Sequence, residues 1–83
     1  LGRACDDPEP GMREQALRLG ERFYPTSPDA CRRAATLADD RSARVRFQLA
    51  LSAGRMPREA RTDVLAGLLS READPWVQTA ALV

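Results

Sequence analysis

Histidine, lysine, isoleucine and asparagine are all missing from this chain of 83 residues. Without histidine there is no Ser-His or Cys-His catalytic pair and no imidazole metal ligand. Without lysine there is no phosphate-loop lysine, no Schiff base and no Ser-Lys pair. All 13 cations are therefore arginine, a bias we read together with the abundant alanine as coding composition rather than chemistry. Aromatics are scarce, with only Phe23, Tyr24, Phe47 and Trp76. No apolar run reaches the length of a membrane span, so membrane insertion is not expected, and no charged-then-apolar signal segment opens the chain.

Two further scarcities matter. Cys5 and Cys31 fit neither a C-x-x-C nor a haem-attachment spacing. Cys31 falls on the apolar face of a predicted helix, where a free thiol acts as a small hydrophobe; a Cys5–Cys31 disulfide stays open in an oxidising compartment. The adjacent acids Asp6–Asp7 and Asp39–Asp40 lie at helix edges, where carboxylates cap and complement the helix dipole. No catalytic, cofactor-binding or metal-binding residue is assigned, and no enzymatic activity is expected of the chain itself.

What is present is helical periodicity. Met12, Ala16, Leu19 and Phe23 follow i, i+4, i+7 and i+11, one stripe of a helix. Ala30, Ala34, Leu37 and Ala38 repeat the pattern. So do Val45, Leu49 and Ala53, then Val64, Leu65, Leu68 and Leu69, then Trp76, Val77, Ala80 and Ala81. Pro8, Pro10, Gly11, Pro25, Ser27, Pro28, Gly54, Pro57 and the Asp74–Pro75 pair punctuate these stripes. The spacing predicts five helices, over 10–23, 28–38, 42–53, 57–71 and 75–83, joined by loops short enough for antiparallel neighbours. Phe47, Ala50 and Leu51 make the third helix apolar around most of its circumference, as in a helix buried on several sides.

Self-comparison adds an internal recurrence. Met12, Val45 and Val77 are each followed by a polar residue (Arg13, Arg46, Gln78) and, four places on, by Ala16, Leu49 and Ala81. Five places before them stand Asp7, Asp40 and Glu72. Such spacing predicts stacked helical pairs, because an isolated pair cannot bury both of its faces. The acids and arginines Asp7, Arg13, Asp40 and Arg46 are then expected to form a polar ladder along the seam, best seen between Asp40 and Arg46.

The run from Asp40 to Gly54 resembles the second helix of a HEAT repeat, with its acid-x4-Val-Arg core. Asp7 to Ala16 is a second match, and Glu72 to Ala81 a third in which Glu72 and Gln78 replace the acid–arginine pair. The short period is similar to that of bacterial HEAT-like repeats of the bilin-lyase type. Residues 36–82 look more narrowly like the HEAT segment of bacterial membrane-bound dehydrogenase and cytochrome c fusion proteins. The resemblance implies an all-α, armadillo-like α–α superhelix of about two and a half helical hairpins, with units about 1–23, 28–53 and 57–83. It also implies a non-catalytic scaffold for a protein partner or for other domains of a parent chain. The chain opens at Leu1 and stops within an apolar helical pattern, so a longer bacterial parent is expected. The narrower resemblance would place it outside the cytoplasm with redox chemistry elsewhere in the polypeptide; otherwise it would be cytoplasmic.

In such stacks the second helices line the concave face. The residues placed there are Glu14, Arg18, Glu21, Arg44, Gln48, Gln78 and Thr79, with Leu51 beside them. Trp76 either covers the end of the preceding pair or anchors a partner. Residues 41–61 carry six arginines against Glu59 alone. That cluster leaves a nucleic-acid-binding helical module as the lesser alternative, disfavoured because Asp39, Asp40 and Asp63 flank it closely.

Overall fold

The structure, a computed structural model, describes residues 5–71, with side chains to residue 70. Its elements are α1 (Pro10–Leu19), α2 (Pro28–Ala35), α3 (Ala43–Ser52) and α4 (Arg58–Arg71). After each of α1, α2 and α3 the helix tightens into a 3-10 turn: Gly20–Arg22, Thr36–Asp39 and Ala53–Arg55. The described residues are all-helical, with no strand. The expected fifth helix, with Trp76 and Gln78, lies outside them.

The helix starts follow from local chemistry. Pro28 enters α2 at its first turn, and the Ser27 hydroxyl accepts from the Ala30 N–H at 3.2 Å. The Ser42 hydroxyl accepts from the Val45 N–H at the start of α3. Both contacts satisfy an amide that the helix itself leaves without a partner. Glu9 precedes α1 without a side-chain cap; here Pro10 occupies the first turn, where no N–H is needed.

The opening bonds of α1 have counterparts at α3. Asp7 accepts from the Glu9 N–H at 2.9 Å, and Asp40 accepts from the Ser42 N–H at 2.9 Å. Arg13 donates to the Asp7 carbonyl, and Arg46 donates to the Asp40 carbonyl. Each element of the second set lies 33 residues after its counterpart in the first (40 minus 7, 42 minus 9, 46 minus 13). The limits of α1 and α3 differ by the same 33 residues.

α1 and α3 lie against each other along their lengths, and α4 packs on both α2 and α3. The α1–α3 pair is parallel, because its contacts run start to start and end to end: Glu14 with Arg44, Arg18 with Gln48, Glu21 with Ser52. The core between the helices is Leu17, Tyr24, Ala34, Val45, Leu49, Ala53, Met56, Val64 and Leu68, joined by both cysteines. Burying one leucine stabilises by about 2 kcal/mol, a sizeable part of the margin that holds a small domain folded.

Two expectations need correction. The predicted α1 stripe of Met12, Leu19 and Phe23 faces outward, exposed by 49%, 60% and 49%. The buried side is instead Arg13, Ala16, Leu17, Gly20 and Tyr24. Both stripes have helical period and share Ala16; they differ by about 100° of rotation, which one residue supplies. The rotation carries Arg13 to Asp40. The second correction concerns the ladder. The Asp40 carboxylate is gripped by Arg13, while Arg46 reaches the Asp40 backbone carbonyl.

Candidate functional site

Asp7, Arg13, Asp40 and Arg46 form one chain of hydrogen bonds. Arg13 Nε donates to Asp40 Oδ2 at 2.6 Å and Nη2 to Oδ1 at 3.0 Å, a two-pronged grip. Its Nη1 donates to the carbonyls of Asp7 and Pro8 at 2.8 and 3.0 Å. Both side chains are nearly buried, 9% and 6% exposed. A charge so placed must have its donors satisfied, and four of these bonds do so. Burial by itself would push the Asp40 carboxyl up. The Arg13 hydrogen bond, the Ser42 N–H and the charges of Arg13 and Arg41 outweigh it and hold the carboxyl below its usual range. The same bond keeps Arg13 firmly protonated against the opposing effect of burial. The arrangement clamps the start of α1 to the turn before α3. It presents no exposed reactive group.

Glu14, Arg18, Glu21, Arg44 and Gln48 meet in a second network along the α1–α3 seam. Arg18 Nε donates to Gln48 Oε1 at 3.0 Å, and its Nη2 to Glu14 Oε1 at 3.2 Å. Arg44 pairs with Glu14 Oε2 at 3.5 Å. Gln48 Nε2 donates to the Ser52 hydroxyl at 2.9 Å, and that hydroxyl donates to Glu21 Oε2 at 2.9 Å. Arg55 closes the row 4.0 Å from Glu21 Oε1. Sequence reasoning missed Ser52 and Arg55. The signal was their spacing: they stand four and seven places after Gln48, on the stripe that Gln48 already occupied. Gln48 and Ser52 are buried, so the seam is polar inside as well as outside. No buried side-chain polar atom among the described residues lacks a partner.

Leu51 is half exposed on the outer side of α3. Gln78 and Thr79, placed on the same face from the sequence, lie outside the described residues, as do Trp76 and Glu72.

A cleft of about 390 Å³ lies where the 24–28 loop meets the start of α4, between Pro25, Pro28, Cys31, Pro57, Ala60 and Val64. Its wall is mostly apolar, with Glu59 and Asp63 at the edge. Cys31 and Cys5 are free and buried, and Cys31 Sγ donates to the Tyr24 carbonyl at 3.3 Å. Burial pushes both thiols up, at Cys5 with the charge of Asp6 added. Tyr24 is fully buried and donates to the Leu17 carbonyl at 3.0 Å; burial pushes its phenol well up. These groups are therefore neutral near pH 7 and belong to the core. Among the described residues no group of three or more Cys, Asp or Glu is placed to hold a metal ion, and no helix is long and apolar enough to cross a membrane.

Compared with known proteins, the chain matches no family model, no curated protein and no solved structure.

Proposed function

We propose that this chain is a non-catalytic, HEAT-like helical-repeat scaffold, and that the α1–α3 face contacts a protein partner or other domains of a parent polypeptide. One observation carries the reading: the acid–arginine bond pattern that opens α1 recurs 33 residues later at α3, with the two helices side by side and parallel. Helical pairs that recur and stack in this way form extended surfaces, and such surfaces serve recognition. The titratable groups support a scaffold in the same sense. Arg13 and Asp40 are consumed by a structural clamp, and the thiols and Tyr24 are neutral and buried.

The test is affinity capture from source lysate and envelope fractions, with the chain and its Arg44→Glu variant as baits and mass spectrometry as readout. A specific protein captured by the parent chain and lost with the variant supports the face as an interaction surface. Capture unaffected by the variant counts against this face. Recovery of other domains of the same polypeptide makes it an internal spacer.

A further inference from the structure

The α1–α3 face sorts its charges by depth. Glu14 and Glu21 lie low, their side chains 14% and 31% exposed. Arg18, Arg44 and Arg55 stand outward at 62%, 84% and 69%. Two guanidiniums converge on the one Glu14 carboxylate, Arg18 at 3.2 Å and Arg44 at 3.5 Å. Arg18 donates two hydrogen bonds of the five a guanidinium can donate, and Arg44 and Arg55 approach their carboxylates as ion pairs at 3.5 and 4.0 Å. The low acids thus hold a row of arginines in place while leaving most of their donors for a ligand. A group held in position loses less freedom on binding.

Leu51 belongs to the same row. Positions 44, 48, 51 and 55 follow i, i+4, i+7 and i+11, and Leu51 is 50% exposed between the buried Gln48 and Arg55. Arg55 closes the row from the 3-10 turn after α3, so from Arg44 to Arg55 it is about 18 Å long at about 1.5 Å per α-helical and about 2.0 Å per 3-10 residue, the span of about five extended residues.

We infer that this row docks an acidic protein segment in which a large apolar side chain is flanked by carboxylates. The inference deepens the scaffold reading above and rests on it. Carboxylates suit the two-pronged geometry of the outward guanidiniums, and the apolar side chain suits Leu51. A phosphate backbone would offer Leu51 nothing. Phe47, the aromatic nearest Leu51 on α3, is only partly exposed and packs against the core, so it offers little open ring for base stacking. Glu14 and Glu21 directly behind the arginines weaken the longer-range field on which phosphate binding depends, and they leave short-range pairing intact.

The experiment is selection of displayed random peptides of about twelve residues on the whole chain, in parallel on an Arg44→Glu/Arg55→Glu variant and on Leu51→Ser. Fluorescence anisotropy of the selected peptides and of a labelled DNA duplex follows. The expected result is enrichment of acidic peptides with a central Leu, Ile, Phe or Trp. Binding should weaken about tenfold or more with the double reversal and with added salt, and should weaken measurably with Leu51→Ser. Circular dichroism checks folding; if the double reversal melts early, Arg44→Gln/Arg55→Gln replaces it. Reversal-sensitive enrichment of neutral or basic peptides would overturn the acidic class and leave the face reading standing. Enrichment that no variant changes, or none at all, would overturn both. Duplex DNA binding more tightly than every peptide at physiological salt would overturn the proposal in favour of nucleic acid.

Discussion

Arg13 and Asp40, 27 residues apart in sequence, meet through two hydrogen bonds of 2.6 and 3.0 Å at the foot of the α1–α3 seam. Because Arg13 also holds the carbonyls of Asp7 and Pro8, one guanidinium joins the turn before α1 to the turn before α3.

Loss of that guanidinium should therefore cost more than loss of an exposed one. Arg13→Ala leaves a nearly buried carboxylate unpaired and two carbonyls without a donor. Arg32→Ala removes only an exposed i, i+3 pair with Asp29. The expected order of thermal midpoints is parent, then Arg32→Ala, then Arg13→Ala well below. Arg46→Ala also falls below Arg32→Ala, since it loses a bond to the Asp40 carbonyl. Equal midpoints for Arg13→Ala and Arg32→Ala would remove the clamp from the account.

The clamp carries a pH signature. The folded Asp40 carboxyl is held below its ordinary value, so the folded state binds fewer protons than the unfolded one as pH falls. Its contribution to stability is complete above the unfolded value of about 3.9 and is lost as pH falls through the folded value. Asp40→Asn should flatten the acid limb of a stability-against-pH curve measured by urea unfolding. A limb that keeps its full slope in Asp40→Asn would assign the acid sensitivity to other carboxylates.

Packing at the centre of α3 predicts a sharp contrast between near neighbours. Leu49 is fully buried and Leu51 is half exposed. Leu49→Ala should destabilise by about 2–5 kcal/mol, and Leu51→Ala by no more than about 0.5 kcal/mol. Val45→Asp puts an unpaired charge at a position with no exposure and should abolish most of the helical circular dichroism. Retained helicity in Val45→Asp would contradict the parallel packing of α1 on α3.

Both cysteines should be slow to react. Each is free, buried and pushed toward its neutral form by burial, and the thiolate is the reactive species. Titration with a thiol-specific disulfide reagent should be slow in buffer and fast, with two equivalents, in urea. Rapid reaction of either thiol in buffer would show that the core around Tyr24 opens readily.

What the sequence determined by itself was local. Helical period, proline and serine at the starts, and the acid–arginine unit that occurs at Asp7–Arg13 and again at Asp40–Arg46 each depend on residues within a few turns of each other. Five residues of the α1–α3 network stood out for the same reason, since Glu14, Arg18 and Glu21 share one stripe and Arg44 and Gln48 another, whereas Ser52 and Arg55 were missed. Tertiary structure decided the rest. Rotation of α1 is set by groups 27 to 35 residues away, through Asp40, Gln48 and Ser52. That rotation turned Met12, Leu19 and Phe23 outward and Leu17 and Tyr24 inward. It also gave the Asp40 carboxylate to Arg13, because the guanidinium from α1 reaches it while Arg46 bonds the backbone of the same residue. Depth was decided in the same way: only the parallel approach of two helices puts Glu14 and Glu21 beneath a row of arginines.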